Sequence, residues 1–243
     1  YFTAAFLIGR YTIRDFNLLL LSISTVLIAA AGYIVNDYYD VKIDYINKPE
    51  RVVIGRSITR RYAILFHVVF SAIGILIGVY LSWSIAAVNI LSVFLLWLYS
   101  NNLKRQPFVG NLAVALLTGA SIFVVDMLYR THNPLIIIYA LFAIFMTLVR
   151  EIIKDIEDLK GDNTFGCKTL PIIWGIRKTK IIIYTILGIF SIAVIVLNTR
   201  FEILPLQYYV LLLFAPLVWF VVRLYLADTK KDFSWLSTFC KII

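Results

Sequence analysis

The chain has 243 residues, of which 61% are hydrophobic and 15% charged, with a formal net charge of +9. A soluble domain carries about a quarter charged residues, so this chain lacks the polar surface to coat a globule; disorder, collagen-like structure and a disulfide scaffold are excluded by the same composition. What remains is an all-α polytopic membrane protein, whose positive charge marks loops held on the cytoplasmic face rather than a nucleic-acid partner.

Residues 1–9 are apolar but short of the roughly 20 residues that a span needs. Complete spans are expected at 16–38, 62–81, 83–100, 108–129, 134–153, 179–198 and 206–227, and residues 233–243 begin another apolar run. With both end helices incomplete, this predicts nine helices in one domain, 1–243. The loops after the second, fourth, sixth and eighth helices hold most of the 23 Lys and Arg residues, whereas the opposite loops hold only Arg10, Arg14, Arg130 and Arg200. That bias places the even-numbered loops and the N-terminus in the cytoplasm, and the chain in the cell membrane.

Nine of the 14 acidic residues fall in two segments on this same membrane face. One group is Asp37, Asp40, Asp44 and Glu50; the other is Glu151, Asp155, Glu157, Asp158 and Asp162. The charge bias that orients a membrane protein asks for no acids there. Asp37/Asp40/Asp44 and Asp155/Asp158/Asp162 both stand at i, i+3 and i+7, one helix face over two turns. Like charges so spaced repel, which points to a neutralising cation. Carboxylates without His or Cys suit Mg²⁺ or Ca²⁺ rather than zinc, and Mg²⁺ takes few carboxylates while bridging to substrate phosphate. Two such trios read as a cradle for Mg²⁺ and a diphosphate, with Lys48, Arg51, Lys104, Arg150 and Lys154 on the same membrane face to balance the excess negative charge. Asn111, just inside a span, is a candidate to face the cavity.

Other features read as structural. Asp126 and Arg130, four apart, suggest a local ion pair. His67 reads as a hydrogen-bonded core residue and His132 as a loop residue. Gly74 and Gly78 form a GxxxG packing motif. Asn101 and Asn102 read as a turn. Cys167 and Cys240 form no CxxC and read as ordinary thiols.

Asn36-Asp37-x-x-Asp40-x-x-x-Asp44, followed by Asn47-Lys48-Pro49-Glu50-Arg51 and Gly55-Arg56, resembles the first signature of the UbiA superfamily of intramembrane prenyltransferases. Asp155-x-x-Asp158-x-x-x-Asp162, followed by Gly166, Lys168-Thr169-Leu170-Pro171 and Gly175, resembles the second; Tyr99-Ser100, Lys104 and Gly110-Asn111 match smaller features. Val52 stands where the family often has Pro, and Lys160 where Glu is common. The resemblance implies nine transmembrane helices around a central cavity, with Asp37, Asp40, Asp155 and Asp158 catalytic. All six aspartates would hold Mg²⁺, while Asn36 and Arg51, with Lys104 and Lys154 nearby, would hold an isoprenyl diphosphate. The run from Arg150 to Asp158 is closest to the digeranylgeranylglyceryl phosphate synthase group. That implies a geranylgeranyl diphosphate donor and a lipophilic acceptor, the hydroxyl of geranylgeranylglyceryl phosphate, with Arg56, Arg60, Arg61 and Arg105 as candidates for the extra phosphate.

Quinone, tocopherol or chlorophyll-type enzymes with aromatic acceptors share the acidic pattern and form the alternative. A cation transporter is the alternative of another class, although it favours mid-span acids. A CDP-alcohol phosphatidyltransferase would need an Asp-Gly start that Asp37-Tyr38 does not supply.

Overall fold

The computed structural model describes residues 8, 9, 12, 14–47, 49–201 and 213–241, with Arg51 and Phe201 described by their backbone alone. These residues are helical, with no β-strand among them. The helices are α1 (Phe16–Asn47), α2 (Arg60–Leu81), α3 (Trp83–Asn101), α4 (Val109–Tyr129), α5 (Pro134–Glu157), α6 (Leu159–Thr164), α7 (Leu170–Phe201), α8 (Ala215–Leu226) and α9 (Lys230–Phe239). Six of them, α1 to α5 and α7, are long and apolar enough to cross a membrane. Residues 1–7, and residues 206–212 of the span expected at 206–227, lie outside the described residues.

The chain forms two compact units, one of residues 1–104 and 116–140, the other of residues 105–115 and 141–243. In the first unit α1, α2 and α3 pack on one another. The GxxxG pair makes that packing close: a Cβ on Gly74 would stand 2.7 Å from Ile28 Cγ1, and one on Gly78 3.1 Å from Ala86 Cα. Approach this tight exposes helix carbonyls to polar side chains across the interface. Ser24 Oγ donates to Gly74 O at 2.8 Å, and Asn89 Nδ2 donates to Ser24 Oγ at 2.9 Å and Gly74 O at 3.0 Å. All three residues are buried, and their hydrogen bonds satisfy one another where no water is at hand. His67 Nδ1 lies 3.0 Å from Ala31 O, as expected of a hydrogen-bonded histidine.

In the second unit a core of Val149, Ile152, Ile153, Leu170, Ile183, Phe190 and Phe220 joins α5, α7 and α8. Helix α7 starts at Leu170, nine residues before the expected span. It is two helical pieces joined at Gly175, whose φ of 78° only glycine adopts without strain. The run Arg177, Lys178, Lys180 therefore lies on a helix and not in a loop. Lys180 Nζ donates to Ala227 O at 2.6 Å and Tyr225 O at 3.3 Å, satisfying carbonyls at the C-terminal end of α8. Cys167 and Cys240 are buried thiols.

Asp126 has different partners from those expected. Its carboxylate accepts from Thr131 Oγ1 at 2.6 Å and from the Asn133 amide at 3.1 Å, and no ion pair joins it to Arg130. Arg130 has a φ of 52°, which ends the helical register that pairing four residues apart requires.

Candidate active site

In the first unit the aspartates occupy the last three turns of α1. A 32-residue helix is about 48 Å long at 1.5 Å per residue, well beyond a ~30 Å hydrocarbon core. The expected span 16–38 thus continues as one helix to Asn47, and Asn36, Asp37, Asp40 and Asp44 ride on its C-terminal part. This is the negative end of the helix dipole, with no basic residue in the last turn. The cation comes from elsewhere in the chain. Lys104, in the short 3-10 turn Leu103–Arg105, donates to Asp40 Oδ1 at 2.5 Å and to Asn36 Oδ1 at 3.3 Å. The Lys104 and Asp40 side chains are 10% and 15% exposed, so water screens the pair little. Lys48 lies outside the described residues; Arg51 closes the 3-10 turn Pro49–Arg51. Arg56 and Arg60 stack on tyrosines of α1, with guanidinium carbons 5.2 Å from the centre of the Tyr45 ring and 5.0 Å from that of Tyr38.

In the second unit α5 carries Arg150, Glu151, Lys154 and Asp155. Asn111, in the first turn of α4, is buried and donates from Nδ2 to Asp155 Oδ2 at 3.0 Å. Arg150 Nη1 and Lys154 Nζ both donate to Glu151, the lysine at 3.4 Å. The second trio does not share one uninterrupted helix as expected. Asp155 is on α5, Asp158 is the joint between α5 and α6 with φ −95° and ψ 6°, and Asp162 is on α6. The sequence Asp158-Leu159-Lys160-Gly161-Asp162-Asn163 holds four weak helix formers, which is why the helix yields there. Helix α6 ends on Gly166 at φ 70°, where the Gly166 and Cys167 amides reach back to Asn163 O and Asp162 O in a Schellman cap.

Among the described residues no group of three or more His, Cys, Asp or Glu comes together closely enough to hold a metal ion. Residues seven apart on a helix are separated by about 10.5 Å along its axis, so Asp37 and Asp44 on α1 do not by themselves form a ready-made cage. A cavity of about 260 Å³ between α8 and α9 is lined by Arg223, Lys231, Asp232 and Trp235 and contains no residue of either motif.

Sequence reasoning grouped Glu151 with the second set of acids but gave it no role. The signal was present, because Glu151 stands four residues before Asp155 on the same helical stripe.

Residues 1–242 match the family described as the UbiA prenyltransferase family. The digeranylgeranylglyceryl phosphate synthase of Methanosphaera stadtmanae is 34% identical over 231 residues, 94% of this chain and 84% of the relative. A UbiA homolog from Aeropyrum pernix K1 has a similar fold, with a TM-score of 0.78 at 15% identity over 99% of this chain and 91% of that one. A UbiA homolog from Archaeoglobus fulgidus, bound to DMAPP and Mg²⁺, gives a TM-score of 0.67 at 16% identity over 93% of this chain and 85% of that one. The helical, multi-pass architecture and the two aspartate signatures thus have one common explanation: this chain belongs to the UbiA prenyltransferase family and is a prenyltransferase of the membrane.

Proposed function

We propose that the chain transfers a geranylgeranyl group from its diphosphate to the free hydroxyl of geranylgeranylglyceryl phosphate, the second ether bond of archaeal-type lipids. The observation that carries this reading is the 34% identity, over 94% of the chain, to a relative named for that product. The same reading treats residues 1–243 as one catalytic domain. It sets the motif-bearing helix ends on the cytoplasmic face, where the basic loops lie.

The donor chemistry rests on the side chains. Asp37, Asp40, Asp44, Asp155, Asp158 and Asp162 offer only carboxylate oxygens, and they are not assembled into a three-carboxylate cage. That suits Mg²⁺, which accepts one or two carboxylates and completes its shell with water and phosphate oxygens; the Archaeoglobus homolog was solved with Mg²⁺ and a short isoprenyl diphosphate. When bound, Mg²⁺ would stabilise charge on the leaving diphosphate. Lys48, Arg51, Lys104, Arg150 and Lys154 add fixed positive charge for the same oxygens. The amides of Asn36 and Asn111, already bonded to Lys104 and Asp155, hold those groups in place. The allylic C–O bond breaks with its electron pair going to the diphosphate. The acceptor hydroxyl attacks the freed carbon and loses its proton to solvent.

The test offers labelled geranylgeranyl, farnesyl and longer diphosphates to the purified protein with geranylgeranylglyceryl phosphate, 4-hydroxybenzoate, dihydroxynaphthoate or homogentisate. Product from the geranylgeranyl donor and the glyceryl phosphate supports the reading. Transfer to an aromatic acceptor alone overturns the acceptor assignment.

A further inference from the structure

The second motif extends one turn further inward than its three aspartates. Glu151, Asp155, Asp158 and Asp162 stand at i, i+4, i+7 and i+11. Glu151 is only 5% exposed and lies beside the fully buried Ile152 and Ile153. Its two oxygens serve different cations: Arg150 Nη1 donates to Oε1 and Lys154 Nζ to Oε2. Those cations remain partly open, with side chains 25% and 34% exposed. Arg150 Nε is buried and makes no hydrogen bond among the described residues.

Packing alone does not account for a carboxylate here. An apolar side chain of the same volume would suit the neighbouring isoleucines, and replacing a buried ionic group in that way is often neutral or stabilising. What the carboxylate does, and leucine would not, is fix two flexible cations beside Asp155. A Lys or Arg side chain held in one rotamer loses less entropy on meeting a ligand. As an anion, Glu151 would itself repel a diphosphate, so its contribution passes through Arg150 and Lys154.

We infer that Glu151 is a positioning residue for the donor diphosphate, holding the Arg150 guanidinium and the Lys154 ammonium in the orientation that receives the phosphate oxygens. The inference rests on the proposed role of the second motif in diphosphate binding, and its test separates the two.

Steady-state transfer from geranylgeranyl diphosphate is compared in the wild type, Glu151→Gln, Glu151→Asp and Asp155→Asn. Melting of each protein in detergent, and inhibition by inorganic pyrophosphate with Mg²⁺, are followed in parallel. For Glu151→Gln the KM for the donor rises about tenfold with kcat within about threefold, because ground-state binding is what the variant weakens. Pyrophosphate inhibition weakens in step, and the melting temperature stays near that of the wild type. Glu151→Asp, which keeps the charge one methylene back, gives an intermediate KM. If Glu151→Gln does not fold, a raised KM in a folded Glu151→Asp supports the inference and a wild-type KM there overturns it. A wild-type KM in Glu151→Gln, or a fall in kcat at constant KM, also overturns it. An inactive Asp155→Asn beside such a result leaves the motif's role standing; a fully active Asp155→Asn removes that role itself.

Discussion

The ammonium of Lys104 sits 2.5 Å from Asp40 Oδ1 across 64 residues of chain, and the same nitrogen reaches Asn36. One turn of helix thus presents an amide and a carboxylate to a cation that the third and fourth helices deliver. Lys104→Met leaves Asp40 without this partner at the negative end of α1. Prenyl transfer should fall about 100-fold in kcat/KM, the scale of losing one preorganised electrostatic contact. Lys104→Arg keeps the charge but changes its shape, and should recover only part of the activity. Rates of labelled product formation at saturating Mg²⁺ check both.

The aspartates should be more demanding than the lysine. Asp37→Asn and Asp158→Asn each remove a full negative charge from a site proposed to grip a divalent ion, and each should abolish turnover while expression and melting stay near wild type. EDTA should silence the enzyme and added Mg²⁺ restore it. Activity indifferent to chelation would remove the metal from the mechanism.

The sequence made some of this arrangement visible and hid the rest for definite reasons. Apolar runs located α1 to α5 because a span must satisfy its own backbone in lipid. The i, i+3, i+7 aspartates were legible because helical periodicity acts within a few residues. Lys104 with Asp40, and Asn111 with Asp155, lie 64 and 44 residues apart, and no local pattern encodes such a pairing. The early start of α7 was obscured by Arg177, Lys178 and Lys180, which read as loop charge although Lys180 serves as a cap for α8. The joint at Asp158 follows from weak helix formers, a signal outweighed by the regular spacing of the acids. The spacing of Glu151 from Asp155 was legible, but its burial was not, since a carboxylate between Arg150 and Lys154 carries no local mark of it.

The N-terminus of α9 predicts a local pH response. Asp232 Oδ2 accepts from the Thr229 amide at 2.9 Å and the Thr229 hydroxyl at 2.7 Å, while the Asp232 amide returns to Thr229 Oγ1. These hydrogen bonds, the Thr229 amide's foremost, hold the Asp232 carboxyl below its ordinary value of 3.8. A depressed value in the folded state means a contribution that is complete above the ordinary carboxylate range and lost as pH falls through the folded value. Hydrogen exchange of the α9 amides should therefore speed up in Asp232→Ala at pH 7. The difference from wild type should vanish at a pH low enough to protonate Asp232 in both states.

Gly74 and Gly78 predict a loss of stability with no chemical change. A methyl on Gly74 meets Ile28 Cγ1 at 2.7 Å and the backbone oxygen of Ser24 at 3.1 Å. One on Gly78 meets Asn89 Nδ2 at 2.5 Å, and that amide is already committed to Ser24 and Gly74. Alanine is the better helix former by about 1 kcal/mol, yet overpacking costs ~1–3 kcal/mol, and backbone atoms on the far side cannot swing away. Both Gly74→Ala and Gly78→Ala should lower the melting temperature in detergent. Gly78→Ala should lower it more, because it also breaks a buried hydrogen-bond network that water cannot repair. Thermal unfolding followed by helical circular dichroism reads the difference, and donor KM measured below the transition should stay at the wild-type value.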